Sequence, residues 1–379
     1  MDKQKIILIN QSSGYLTVDI ANALADSYSE VVLLCGTLKT MDTELSEKIK
    51  LGRLIPYNRN SKISRFSTWI WSTLQILWKL LFVYKDYEVL YVSNPPMAYF
   101  VSLFIHRPFS VLVFDIYPDA LKNIGIAEKN PIYSIWAICN KKIFSSAKYI
   151  FTLSEGMKNS LARYVKPEKI CIVPNWSYLQ NIPKISKDNN PFVKQLGLNS
   201  KFVVLYSGNI GYTHNVEVII HVANLLSQEK DILFLIIGDG AKKPKLQQMV
   251  KEYNLDNCLF FDWQPEENVL YSLASADLSI VTVNDVTAML SVPSKTYNLM
   301  AVGSPLLCIA NLNSELNKLV SLYNCGSCFD GQNLTEIANY IMCMKKDEKI
   351  RDLMSRNSFE ASTHFTKHNA LRYVEYIKG

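Results

Sequence analysis

In this 379-residue chain, Lys295 is the cation best placed to do chemistry. It lies in Ser291-Val-Pro-Ser-Lys-Thr-Tyr-Asn-Leu-Met-Ala-Val-Gly-Ser-Pro305, which reads as a helix start followed by a buried strand. Pro293 suits the first turn of a helix, where a missing N–H costs nothing, and Ser291 or Ser294 can cap the free backbone donors. A helix N-terminus with a lysine in the same turn suits a phosphate or pyrophosphate. Three further segments offer compatible chemistry. Tyr206-Ser-Gly-Asn-Ile-Gly-Tyr-Thr-His214 puts Gly208, Asn209 and Gly211 after a strand, where backbone amides can approach a phosphate, with His214 in reach of the same group. Gly238-Asp239-Gly240 ends a second strand. Phe261-Asp-Trp263-Gln264-Pro265 ends a third and can present backbone groups to a base. A tight βα turn alone would account for any one of these. Four of them, expected along one edge of one sheet, are far more specific.

Those loops need a frame of strands and helices. In the first half, apolar runs stand at Ile6–Asn10, Val31–Gly36, Val89–Ser93, Val111–Asp115, Tyr149–Leu153 and Ile170–Pro174. The second half restarts the pattern at Phe202–Ser207, Ile232–Gly238, Cys258–Trp263, Leu278–Val283 and Pro305–Ala310. Continuous apolar strands separated by helices predict an α/β fold with parallel sheets covered on both faces. The length predicts two domains. The boundaries expected are a first domain over 1–178, a polar linker over 179–191, a second domain over 192–362, and a C-terminal helical segment over 363–379. Two doubly wound domains facing across a cleft would place ligands at the carboxyl ends of the strands.

The charge is asymmetric. Residues 1–178 hold 21 Lys and Arg against 14 Asp and Glu, and the remainder holds 19 against 20. A basic first half beside a neutral second half suggests an anionic surface for the first half only. The most apolar stretch, Phe66–Tyr84, carries a polar stripe of Arg65, Thr68, Ser72, Gln75 and Lys79 at helical spacing. With Trp69, Trp71 and Trp78, and with Arg53, Arg59, Lys62 and Lys85 nearby, it reads as a helix lying in the headgroup region of an anionic membrane. A packing helix of the first domain is the competing reading. The modest charge, without any aromatic–basic module, argues against nucleic-acid binding. Eight cysteines without finger spacing read as buried thiols. Together with the absence of a leader, they suggest a cytoplasmic protein.

Taken together, Gly208-Asn-Ile-Gly211, Gly238-Asp-Gly240, Phe261-Asp-Trp-Gln-Pro265, Ala276-Asp277 and Pro293-Ser-Lys-Thr-Tyr-Asn-Leu-Met-Ala-Val-Gly-Ser-Pro305 resemble the donor domain of bacterial retaining glycosyltransferases of family 4. In the first half Ser93-Asn-Pro-Pro96, Asp115-Ile-Tyr-Pro-Asp119, Leu153-Ser-Glu155 and Val173-Pro-Asn-Trp176 resemble acceptor-domain landmarks of polysaccharide-assembly members. The resemblance implies the GT-B architecture of two Rossmann-like domains, a nucleotide-sugar donor and no bound metal or other cofactor. It also implies a C-terminal helix that crosses back to the first domain. It suggests transfer of a hexose or N-acetylated aminosugar from a UDP-sugar to an undecaprenyl-diphosphate-linked saccharide, in O-antigen, capsule or exopolysaccharide synthesis. The expected location is the inner face of the cytoplasmic membrane, with peripheral attachment.

On this basis Lys295 is expected at the leaving group, Asp115 and Asp119 at the acceptor hydroxyl, and Gln11, Ser12, Gly14 and Tyr15 on the acceptor side. The family's two glutamates are replaced by Leu290 and Asn298, and Asn298 inherits the position that contacts ribose in relatives. Amide chemistry there allows hydrogen bonds but not two charged acceptors. An epimerase of UDP-N-acetylglucosamine on the same fold, or a non-catalytic scaffold subunit, are the rival expectations.

Overall fold

The computed structural model describes residues 4–58, 60–120, 129–211, 214–284, 289–290 and 292–379, apart from the side chain of Lys62. The chain divides into two compact units. Unit 1 is Met1–Tyr178 together with Lys367–Gly379, and unit 2 is Leu179–Thr366.

Unit 1 is built on seven strands: β1 (Lys5–Ile9), β2 (Glu30–Cys35), β3 (Ile49–Arg53), β4 (Glu88–Val92), β5 (Phe109–Leu112), β6 (Ile150–Thr152) and β7 (Ile170–Ile172). They pair in the order β3-β2-β1-β4-β5-β6-β7, every pairing parallel. β1, Lys-Ile-Ile-Leu-Ile, and β2, Glu-Val-Val-Leu-Leu-Cys, are apolar almost throughout because helices cover both faces of the sheet. The order reverses between β1 and β4, which is the topological switch of a doubly wound sheet. β3 had no counterpart among the strands expected from sequence. It lies at the sheet edge and buries only Ile49 and Gly52, so its apolar run is broken by Lys50 and Arg53.

Four helices complete most of unit 1: α1 (Tyr15–Ala25), α2 (Lys62–Phe82), α3 (Pro131–Ser146) and α4 (Glu155–Leu161). α2 starts in a capping box, in which the Ser61 hydroxyl accepts from Ser64 N and the Ser64 side chain accepts from Ser61 N. At its other end Arg107 donates to the carbonyls of Leu80 and Tyr84, which the helix leaves without partners.

The orientation of α2 corrects the sequence reading. Thr68 and Ser72 of the polar stripe face inward and are buried, as is Trp69, which is 3% exposed. Trp69 packs between Tyr57 and Tyr117, at 5.9 Å from each ring, so it is a core residue and not a surface anchor. Trp71 and Trp78 are 61% and 56% exposed, with Ile70, Leu74, Leu81 and Phe82 around them. Ile76 and Leu80 are buried with Trp69, so the helix presents apolar residues on its outward side as well as inward. α3 adds Ile132, Ile135 and Ile138 to the exposed apolar surface, and the 3-10 turn Ala98–Leu103 touches both helices. No helix among the described residues is long and apolar enough to cross a membrane.

Unit 2 follows the same plan. Its strands are β8 (Phe202–Ser207), β9 (Ile232–Ile237), β10 (Cys258–Phe261), β11 (Leu278–Thr282), β12 (Leu306–Ile309) and β13 (Gly326–Phe329), in the order β10-β9-β8-β11-β12-β13. All pairings are again parallel, and the order reverses between β8 and β11. Helices α5 (Pro191–Leu196), α6 (Glu217–Leu225), α7 (Lys243–Glu252), α8 (Glu266–Leu273), α9 (Ser294–Ala301), α10 (Glu315–Tyr323), α11 (Leu334–Lys346) and α12 (Glu348–Ser362) belong to this unit. Segment 179–191, expected to be a linker, holds a 3-10 turn at Lys187–Asn189, and Lys187 is ion-paired with Asp277. The last helix, α13 (Asn369–Lys378), packs on α1, and Tyr373 meets Phe151 at 4.8 Å between ring centres.

Candidate active site

The four segments singled out from sequence meet at the carboxyl ends of β8, β9, β10 and β11. Backbone bonds carry the sheet past its formal end: Gly208 N donates to Ile237 O at 2.9 Å, and Gly238 N donates to Phe261 O at 3.0 Å. Ile210 N and Asp239 O continue the ladder at 2.8 Å. Two lysines cross-tie the loops. Lys242 Nζ donates to His214 O and to Glu217 Oε2, each at 2.9 Å, and Lys243 Nζ donates to Gly238 O at 3.0 Å while pairing with Asp262. Glycine is required at two points. A Cβ on Gly238 would lie 2.0 Å from the Gly208 carbonyl oxygen, and one on Gly208 would lie 2.6 Å from Lys295 Nζ. Both have positive φ, 141° and 156°, so a side chain would be strained as well as crowded.

Lys295 is thus brought directly against the Gly208 loop. Its Nζ lies 4.1 Å from the centre of the Tyr206 ring and is buried with no hydrogen-bond partner among the described residues. Burial lowers its pKa to about 7, since a buried ammonium without an anion is costly. The hydroxyls of Thr282, which ends β11, and of Thr296, in the first turn of α9, are likewise buried without partners. Sequence reasoning missed both threonines and Tyr206, because nothing in their spacing signals which polar atoms lack a partner.

α9 differs from expectation at its first turn. Pro293 occupies the position before the helix and makes no side-chain cap, and Ser294 is the first helical residue. Ser294 is exposed, Ser291 lies outside the described residues, and Asn298 stands half-buried one turn beyond Lys295.

His214 Nδ1 lies 2.8 Å from Thr282 O, which fixes Nδ1 as the protonated nitrogen of a neutral ring and leaves Nε2 as an acceptor. Burial, then the Lys295 and Lys242 charges, push its pKa down to about 4. Asn209 and Asp239 are exposed at the loop tips, with Asp239 Oδ1 accepting from Gly240 N at 2.8 Å. Trp263 is exposed, and Gln264 Nε2 donates to Asp262 O at 3.0 Å. At one strand-end face, then, unit 2 assembles amides, a helix start and an unpaired buried ammonium. Such a set is chemically suited to a phosphate's negative charge.

The unit 1 candidates separate into two groups. Asp115 is exposed just past β5, where the Ser93 hydroxyl accepts from the Phe114 and Asp115 amides at 3.0 and 3.3 Å. Asp119 instead pairs with Arg163 and accepts from the Tyr133 hydroxyl, which makes it a positioning group for its turn. Gln11 is fully buried. Its Nε2 donates to Ile55 O and Thr68 O, both at 3.1 Å, so it ties a loop to α2 and does not line a surface. Ser12 lies in a two-residue parallel bridge with Thr37, and Gly14 precedes α1 with open space at its Cβ position. Tyr15 donates its hydroxyl to Trp176 O at 2.8 Å, and Trp176 Nε1 donates to buried Asp19 at 2.8 Å. These contacts bind the first loop to the Val173–Trp176 landmark.

Residues 188–361 match the Glycosyl transferases group 1 family. That span lies within unit 2. Two curated relatives agree with it: the probable glycosyltransferase WbjE of Pseudomonas aeruginosa, 26% identical over 212 residues, and the putative colanic acid biosynthesis glycosyl transferase WcaI of Escherichia coli, 28% identical over 211. Those matches cover 55% and 54% of this chain and 53% and 52% of the relatives, so the chain spans about half the length of the curated relatives it matches. Among solved structures, sucrose-phosphate synthase from Thermosynechococcus elongatus aligns with a TM-score of 0.76 at 17% identity, covering 99% of this chain and 98% of that one. The Anabaena protein HepE, solved with UDP and glucose, aligns at 0.73 and 15%, covering 99% of each. WaaG, a glycosyltransferase of lipopolysaccharide biosynthesis, aligns at 0.70 and 13%, covering 98% and 99%. The fold is therefore GT-B, with two Rossmann-like domains. The matched span, 188–361, contains every donor-side candidate, from Gly208 to Asn298.

Proposed function

We propose that the protein is a nucleotide-sugar-dependent, retaining glycosyltransferase of bacterial surface-polysaccharide assembly. In this reading unit 2 binds a UDP-sugar and unit 1 presents a lipid-diphosphate-linked saccharide. The observation that carries the proposal is Lys295, an ammonium held without an anion between the Gly208 loop, the Tyr206 ring and the start of α9. A UDP β-phosphate placed there would receive the lysine charge, the α9 N–H groups and the Gly208–Gly211 amides. As the bond from sugar C1 to the diphosphate oxygen breaks, its electron pair leaves with UDP, and these groups are strongest where that charge develops. The acceptor oxygen forms the new bond to C1 and gives its proton to the departing phosphate oxygen, so no strong protein base is required. Asp115 is the group available to orient the acceptor hydroxyl.

The nucleotide half has separate support. Trp263 and Gln264 belong at the base and Asn298 at the ribose, where relatives place a glutamate. The outward apolar side of α2, bearing Trp71 and Trp78, joins with the isoleucines of α3 and the basic charge of residues 1–178. Together they support peripheral attachment to the inner face of the membrane. With the pyrophosphate charge met by the chain's own groups, a chelator is expected to leave turnover unchanged.

The reading is tested by incubating the protein with a panel of UDP-sugars and a lipid-diphosphate-linked saccharide, measuring UDP release and acceptor mass. One donor is expected to give UDP and a heavier acceptor in equal amounts, and Lys295→Ala is expected to lower that rate by about 10²–10³-fold. No UDP release with any donor, UDP release without acceptor, or a loss below about tenfold for Lys295→Ala would each contradict it.

A further inference from the structure

Unit 1 has a second built cleft, of about 560 Å³, between the loop after β3 and the first turns of α2. Its walls are Ile55, Pro56, Tyr57, Asn58, Asn60 and Thr68. The volume lies within the ordinary range for small-molecule sites, and it stands beyond the carboxyl end of β3, on the ligand side of a doubly wound sheet. Hydrogen bonds tie the described residues of the loop at several points. Gln11 donates to the carbonyls of Ile55 and Thr68, Gln75 Oε1 accepts from Ile55 N at 2.8 Å, and Asn58 Oδ1 accepts from Asn60 N at 2.9 Å. Tyr57 stacks on Trp69 at 5.9 Å and 19°, and the other side of Trp69 meets Tyr117 of the Asp115–Asp119 turn. A single buried indole thus joins the cleft to the turn that carries Asp115.

The chemistry is specific. An aromatic ring beside two asparagine amides and a threonine hydroxyl is a surface for a sugar ring: the apolar face of the sugar packs on the ring and its hydroxyls bond to the amides. Arg65 lies three residues before Thr68, on the same side of α2. Its Nε is buried without a hydrogen-bond partner among the described residues, as are Trp69 Nε1 and Gln11 Oε1. Burial, then the Asp115 charge, raises the pKa of the neighbouring Tyr117 phenol, and Arg65 opposes that rise. A guanidinium at that edge suits a phosphate oxygen.

Resting on the glycosyltransferase reading above, we infer that the cleft lined by Tyr57, Asn58, Asn60 and Thr68 is a subsite for the acceptor's sugar ring, and that Arg65 binds the phosphate attached to that sugar. The ligand class is a sugar 1-phosphate head, and the adjoining outward apolar face of α2 is where its lipid would continue. Arg65 becomes a specificity residue for a phosphorylated acceptor, a different role from headgroup contact.

Binding is measured without turnover, by the change in tryptophan fluorescence and by calorimetry. The probes are N-acetylglucosamine 1-phosphate, glucose 1-phosphate, the two free sugars and inorganic phosphate. At least one sugar phosphate should bind, and Arg65→Gln should weaken it by about tenfold or more while leaving the weaker free sugar unchanged. Asn58→Ala, at an exposed position, should weaken sugar phosphate and free sugar alike. Equal binding of inorganic phosphate and sugar phosphate, or no effect of Arg65→Gln, overturns the subsite. UDP titration of the same variants separates the two readings. UDP binding unchanged in Arg65→Gln leaves the donor site intact whatever the cleft does. Sugar-phosphate binding in a protein that fails to bind UDP would retain the cleft and remove the donor assignment.

Discussion

Lys295 combines two opposing roles. In the empty protein its ammonium is buried beside an aromatic ring with no anion, a costly arrangement that removing the charge would relieve. With its pKa near 7 in the folded chain and about 10.4 when unfolded, the unfolded state binds more protons between those values, and stability from this group rises with pH across that window. A bound diphosphate reverses the balance by favouring the charged form. UDP affinity should therefore be flat with respect to this lysine below pH 7 and should fall as pH rises above it. Calorimetry across pH 6–9 checks this, and Lys295→Met should both flatten the profile and raise the thermal midpoint of the empty protein. Gly208 is the matching backbone position. Gly208→Ala brings a methyl within 2.6 Å of Lys295 Nζ and displaces it, so UDP should bind at least about tenfold more weakly while circular dichroism stays native. Identity and spacing alone marked Lys295, Gly208, Gly211 and His214 as candidates. That Nζ is orphaned, and that Thr282 and Thr296 share this condition, depends on which chains meet in three dimensions, so no local pattern could disclose it.

At the scale of elements, most strands were legible because parallel strands covered on both faces must be apolar without interruption, as β1, β2, β8 and β9 are. β3 escaped because, at the sheet edge, it buries only Ile49 and Gly52 and its apolar run is broken by Lys50 and Arg53. The orientation of α2 escaped for a different reason. Its polar stripe looked like a wet face, yet the Thr68 hydroxyl donates back to Ser64 O at 2.9 Å, so Thr68 can turn inward, while exposed Gln75 accepts from the Ile55 amide. The three tryptophans consequently divide. Trp69→Ala empties a packed site and should cost about 3–5 kcal/mol in urea unfolding. Trp71→Ala with Trp78→Ala should change stability by less than about 1 kcal/mol but reduce sedimentation with anionic vesicles. Unchanged vesicle association in that double variant would remove α2 from the membrane reading.

At the scale of the molecule, the chain repeats one plan twice: each sheet carries a strand-order reversal, and at each reversal the loops leave the carboxyl ends of the strands. The family match falls at 188–361, within unit 2, which fits a donor nucleotide common to many transferases. Unit 1 holds the basic charge, the outward apolar helix faces and the cleft beside Arg65, the features that would distinguish one acceptor from another. The central claim is that the β8–β11 strand ends of unit 2 form a diphosphate site governed by Lys295. Parallel calorimetric titrations of UDP and UMP into the wild-type protein and Lys295→Ala test it most directly. The account predicts that the wild type binds UDP at least about tenfold more tightly than UMP and that Lys295→Ala abolishes the difference. Equal affinity for the two nucleotides in the wild type, or a preference for UDP that survives in Lys295→Ala, would contradict it.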